Sequence, residues 1–135
     1  MIEYTRRVYY YETDKMGIVH HSNYIRYMEE ARVRALDQMG FSFSEMEKQG
    51  LSAPVIEISC RYHKPIVFDD EFTVRLTGGM RSGAVFELDY TIVSGETLVA
   101  EGRSAHCFIR NGRPVNIKRD MKDFVRELEK TKEEK

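Results

Sequence analysis

Aromatic and β-branched side chains crowd Tyr4–Tyr11, the composition of a strand. Beyond Asn23 the apolar period changes. Tyr24, Met28, Ala31, Ala35 and Met39 recur at helical spacing, with Arg26, Glu30, Arg34 and Asp37 elsewhere around the wheel. Ser22 or Asn23 is placed to cap that helix and Gly40 to stop it. A further helical turn is predicted over Ser44–Lys48, with Ser44 as cap and Glu47 completing a capping box. From Ser52 to Ile109 the pattern is that of strands. Ile56, Ile58, Cys60 and Tyr62 alternate with Glu57, Ser59, Arg61 and His63, which predicts one inner face. Pro65 and Phe68–Asp70 interrupt the run, and Phe72, Val74 and Leu76 begin the next strand. After a turn at Arg81-Ser82-Gly83 come Phe86, Leu88, Tyr90 and Ile92, then a hairpin at Ser94-Gly95-Glu96. Val99–Ile109 runs to the turn signal Asn111-Gly112-Arg113-Pro114. A tail helix, Arg119–Lys130, is apolar only at Met121, Phe124, Val125 and Leu128 and is expected to lie on the surface.

The order strand, long helix, four antiparallel strands is an α+β pattern over one domain, residues 1–135. One helix cannot cover both faces of such a sheet, so a dimer is expected. Lysine plus arginine (21) nearly balance aspartate plus glutamate (22), which argues against a general nucleic-acid surface. Cys60 and Cys107 stand in apolar runs without metal spacing and read as buried free thiols in a reducing compartment. No apolar run is long enough to cross a bilayer and the N-terminus has no apolar leader segment, so a cytoplasmic location without stable membrane insertion is expected.

The stretch YYYETDKMGIVHHSNY, residues 9–24, concentrates chemistry at the join between strand and helix. Asp14 reads either as a turn aspartate bonding nearby N–H groups or as the carboxylate that a hydrolysis needs. Gly17 suits a turn and also lets a ligand approach the backbone. His21 is a capping or packing histidine, or a group that orients a carboxylate or water near neutral pH. Adjacent His20 and His21 with no suitably spaced third ligand do not make a metal site. Tyr10 is a core aromatic by default, His63 and His106 have no nameable partner, Glu29 and Arg32 suggest an ion pair at i,i+3, and Arg81 and Ser82 read as turn residues.

Together with the element order, YYETDKMGIVHHSNYIRYMEEAR resembles the hotdog-fold acyl-CoA thioesterases of the 4-hydroxybenzoyl-CoA thioesterase and YbgC type. The matching positions are Tyr10, Asp14, Gly17, Val19, His21 and Tyr24. The likeness continues through Glu29-x-Ala31-Arg32, Tyr62-His63-Lys64-Pro65 and the Met80-Arg81-Ser82 turn. His20 departs from it, since relatives often carry an aromatic there.

The resemblance implies a five-stranded antiparallel sheet wrapped around one long helix, with the C-terminal helix outside. It implies hydrolysis of acyl-CoA to a carboxylic acid and free CoA by a homodimer or homotetramer, with no cofactor beyond the CoA of the substrate. Asp14, His21 and Tyr10 are then the catalytic candidates, with a backbone N–H near His21 facing the developing oxyanion. Gly17, Val19, His20, Asn23 and Tyr24 are substrate-binding candidates, and Arg81 and Ser82 would contact the CoA end, where arginine pairs well with phosphate. Two rivals stand beside this reading. A hotdog dehydratase or hydratase would favour a proline-flanked histidine motif, which HHSNY lacks, and a non-catalytic acyl-CoA-binding module would not need Asp14.

Overall fold

The structure, a computed structural model, describes residues 1–133. In chain order the elements are β1 (Ile2–Arg7), a 3-10 turn (Tyr10–Glu12), α1 (Ser22–Gln38), α2 (Phe43–Lys48), β2 (Leu51–Ser52) and β3 (Val55–Tyr62). Then follow β4 (Glu71–Met80), β5 (Phe86–Ser94), β6 (Thr97–His106), β7 (Ile109–Arg110), β8 (Arg113–Pro114), α3 (Ile117–Asp120) and α4 (Lys122–Lys130). Five strands form one antiparallel sheet in the order β1-β4-β5-β6-β3.

The sheet curls around α1, which touches every strand. Glu30 meets Tyr4 and Arg6 of β1, and Tyr27 stacks on Phe72 of β4. Arg32 reaches Tyr90 of β5, Met28 fills the space above Gly102 of β6, and Tyr24 meets Tyr62 of β3. Tyr27, Met28, Ala31, Ala35 and Leu36 are buried against Phe72, Val74, Leu76, Leu88 and Ile92. Each large side chain so buried contributes roughly 1.5–3 kcal/mol, far more than the helix propensity of any one residue. This is the hotdog arrangement.

Several local expectations change. The first strand ends at Arg7 rather than Tyr11, because the Tyr9 N–H turns to the Glu12 carboxylate (2.8 Å) and starts the 3-10 turn. Neither Ser22 nor Asn23 caps α1; His21 holds the cap position, and the Asn23 amide donates to the Glu12 carbonyl instead. Gly40 does end the helix segment, at φ +92°. The second helix is capped by Ser42, not Ser44, and starts one residue before the expected capping box. Arg32 pairs with no Glu29 side chain but turns inward to the Tyr90 hydroxyl (3.2 Å). Cys60 and Cys107 are free thiols, half-buried rather than buried.

The predicted inner face of β3 forms but stays open. Ile58, Cys60 and Tyr62 register with Ser104, Gly102 and Ala100 on the helix side, while a bulge between Val55 and Glu57 breaks the alternation at Ile56. β3 is an edge strand, so Val55, Ile56, Ile58 and Tyr62 remain exposed. The outer face of the sheet carries ion pairs instead, among them Arg103–Asp89, Arg75–Glu3 and Arg81 with Glu57 and Glu87. That face is solvated and asks for no cover; the uncovered apolar surface lies along β3.

The tail is not a surface attachment. It breaks at Met121 into α3 and α4, and Phe124 and Leu128 are wholly buried. Phe124 meets the rings of Phe41, Phe86 and Phe108. Leu128 occupies the space where a Gly78 side chain would stand, and the Thr131 hydroxyl oxygen accepts the Gly78 N–H at 2.8 Å.

Candidate active site

Residues 13–19 make a small hairpin between the 3-10 turn and α1. Thr13 pairs with Val19, Ile18 bridges to Val67, and the Asp14 N–H reaches the Ile18 carbonyl (2.9 Å). The Gly17 N–H closes the tip onto the Asp14 carbonyl (2.9 Å), and Gly17 sits at φ +81° in open space. Glycine is needed there for its left-handed backbone, not for room. Its N–H is committed to the turn, so it is not the group left for a substrate oxygen.

Asp14 fills the turn role with one oxygen and keeps the other free of protein partners among the described residues. One carboxylate oxygen, Oδ1, accepts the Met16 N–H at 2.8 Å, as a turn aspartate does. The other oxygen has no protein partner among the described residues. Asp14 lines a cleft of about 290 Å³ with Val19, His21 and Tyr24 on one side and Tyr62–Pro65 on the other. The Tyr62 hydroxyl donates to the His21 carbonyl (3.2 Å), and its ring meets Tyr24 edge-on at 5.2 Å. Burial, with Cys60 and Tyr62 adding to it, pushes the Tyr24 phenol up to about 12, so it is a wall and a hydrogen donor rather than a base.

The backbone at the mouth of α1 can be accounted for donor by donor. His20 N–H goes to the Glu12 carbonyl, Ser22 N–H to His20 Nδ1, Asn23 N–H to the His20 carbonyl and Tyr24 N–H to the His21 carbonyl. Only the His21 N–H of this run finds no acceptor among the described residues. A free N–H at a helix N-terminus carries partial positive charge and suits an incoming anionic oxygen.

The remaining candidates are spread more widely. Tyr10 is 75% exposed on the 3-10 turn, edge-on to Phe68 (5.6 Å), and does not line the cleft. His20 stacks beside His21 (4.2 Å), its Nδ1 accepts the Ser22 hydroxyl, and it does not line the cleft. Arg81 and Ser82 lie in the β4–β5 turn, and Arg81 is held between Glu57 (2.7 Å) and Glu87 (2.5 Å). A CoA phosphate there would have to share the guanidinium with two carboxylates. The cleft residues that were not site candidates in the sequence are Met16, Ile18, Tyr62, His63, Lys64 and Pro65. The abrupt Tyr62-His63-Lys64-Pro65 at the end of an alternating strand was the signal for the last four, but nothing local joins them to a loop some forty residues earlier.

The sequence pattern of the thioesterase-like superfamily matches residues 8–125. The chain belongs to that superfamily. It is 40% identical over 124 residues to an esterase-named protein of Aquifex aeolicus, covering 92% of this chain and 97% of that one. It is 32% identical over 128 residues to a Bacillus subtilis protein carrying the name acyl-CoA thioesterase YneP, covering 93% of each. The crystal structure of a DHNA-CoA thioesterase from Staphylococcus aureus superposes with a TM-score of 0.85 at 28% identity, over 96% of this chain and 89% of that one. As a member of the thioesterase-like superfamily, this chain is a thioester hydrolase, and its cleft is to be read with that chemistry in mind.

Proposed function

We propose that this thioesterase hydrolyses acyl-CoA to a carboxylic acid and free CoA, with Asp14 as nucleophile or general base. The observation that carries the proposal is that His21, whose N–H finds no acceptor among the described residues, lines the same cleft as Asp14. In one route the carboxylate adds to the thioester carbonyl and the CoA thiolate leaves, after which water cleaves the mixed anhydride. In the other the carboxylate takes a proton from the attacking water. Both routes put negative charge on the carbonyl oxygen, which the His21 N–H would meet; one such donor is typically worth about 3–4 kcal/mol in the transition state. Water is the second substrate. The acyl-CoA and DHNA-CoA names carried by relatives support the CoA class of substrate.

A panel of short, long and aromatic acyl-CoAs, followed by thiol release, tests the reading beside a hydration assay on an enoyl-CoA. Thiol release with no hydration is expected. Hydration without thiol release would favour the dehydratase reading instead.

The active form is proposed to be a homo-oligomer built on β3. A second copy is the economical cover for Val55, Ile56, Ile58 and Tyr62 and for the open backbone edge beside them. Light scattering at micromolar concentration should give at least twice the 15.8 kDa chain mass. Ile58→Glu, which places a charge in that strip, should shift it towards the monomer. A wild-type monomer would remove this part of the proposal.

A further inference from the structure

The hairpin that carries Asp14 leaves from one residue and returns to it. The Glu12 carbonyl accepts both the His20 N–H, at the end of the hairpin, and the Asn23 side-chain amide, on the first turn of α1, each at 2.9 Å. The Glu12 carboxylate is only 5% exposed and receives four hydrogen bonds. Two come from Arg6 (2.5 and 3.2 Å), one from the Tyr9 N–H (2.8 Å) and one from the Tyr27 hydroxyl (2.8 Å). Arg6 is itself fixed, with its guanidinium over the Tyr9 and Tyr27 rings at 4.2 and 4.6 Å and bonded to Glu30 of α1.

Burial works against the Glu12 charge, but Arg6, the Tyr9 N–H and the Tyr27 hydroxyl outweigh it and hold the carboxyl below its usual range. Burial, reinforced by Glu12, raises the Tyr27 phenol and keeps it a donor. The anchor therefore does not switch near neutral pH. Neither Glu12 nor Asn23 lines the cleft, so what they can affect is where the cleft groups stand.

We infer that Glu12 and Asn23 form a clamp that fixes the Asp14 hairpin against the His21 N–H, making both positioning residues for thioester hydrolysis. The inference rests on the function proposed above. Asn23 was a substrate-binding candidate by resemblance; the clamp gives it a different task, holding two backbone segments in register. Misplacing reacting groups by about an ångström costs on the order of a hundredfold in rate, and the clamp is what prevents such drift here.

Asn23→Ala removes one side-chain hydrogen bond and leaves a good helix former, so the fold should survive. Amide hydrogen exchange over residues 13–21 should speed up at least about tenfold while exchange in β5 stays as in the wild type. With acyl-CoA, kcat should fall roughly 10- to 100-fold while KM moves less than about threefold. In an Asp14→Asn background the same change should cost nothing further, because the group being positioned is already gone. Unchanged exchange would overturn the clamp, and so would faster exchange with wild-type kcat. Failure of the parent reading shows separately, as wild-type turnover in Asp14→Asn alone, and the exchange measurement still decides whether the clamp exists.

Discussion

Asp14→Asn should fold like the wild type, bind acyl-CoA and turn it over at least about a thousandfold more slowly, a loss within the range that removal of a positioned base produces. The amide oxygen still accepts the Met16 N–H that Oδ1 now holds at 2.8 Å, so the hairpin keeps its shape. What disappears is the carboxylate oxygen left without a protein partner among the described residues, since an amide neither attacks a thioester nor takes a proton from water at neutral pH. Steady-state thiol release beside an equilibrium binding measurement checks this. Retention of turnover with binding intact would remove Asp14 from the reaction. Loss of binding together with turnover would mean that its role is to build the turn.

The second large effect is on stability in acid, and it comes from a residue outside the cleft. His106 is fully buried, stacked on Phe86 at 5.0 Å, with Nε2 at 2.7 Å from the Ser104 hydroxyl. A polar chain runs behind it: Arg32 donates to the Tyr90 hydroxyl, which shares a hydrogen bond with Ser104 (2.6 Å), and Ser104 in turn bonds to His106. Nδ1 has no partner of normal geometry among the described residues. Burial, with the nearby Arg32 charge adding to it, pushes the imidazole down to about 4, and the Pro54 carbonyl offsets only part of this.

In the unfolded chain the same histidine titrates near 6.5. Between those values the unfolded chain binds a proton that the folded chain refuses, so stability is complete above pH 6.5 and declines as pH falls. The loss reaches about 2 kcal/mol at pH 5 and approaches roughly 3 kcal/mol near pH 4. The Glu12 carboxyl, held below its usual value, adds its own loss only at lower pH. Calorimetry from pH 7.5 to 5 should show Tm dropping by about 5–10 °C in the wild type. His106→Phe keeps the stacking on Phe86 and leaves Ser104 bonded to Tyr90, so its Tm should be nearly flat across that range. Equal slopes in the two proteins would show that other groups carry the acid sensitivity.

The residues that declared themselves in the sequence are those whose role is local. Periodicity placed α1 and the four later strands, because helix and strand periods follow from the backbone alone. Asp14, Gly17 and His21 stood out because one short hairpin brings them together. What stayed hidden depends on contacts between distant segments. Glu12 was no candidate in the sequence; its part appears only where Arg6, Tyr27 and Asn23 close around it. Arg32 offered an i,i+3 partner on its own helix, yet the core supplied a hydroxyl instead. Tyr62 joins the cleft only because β3 lies beside the start of α1. The tail helix looked too polar to be buried, but Leu128 fits the gap that Gly78 leaves and Phe124 the aromatic cluster of Phe41, Phe86 and Phe108.

That gap has a consequence for how the molecule comes apart. Gly78 stands seven residues along β4 from the end that supports the Asp14 hairpin, roughly 23 Å away. The last helix is a peg in a notch, retained by Leu128, Phe124 and the Thr131 hydroxyl rather than by any strand pairing of its own. Such a peg can lift while the sheet and α1 stay closed. Wear at this end would uncover the Phe86–Phe108 aromatic pair and invite aggregation while the distant cleft still turned over substrate, so loss of solubility and loss of catalysis need not share a cause.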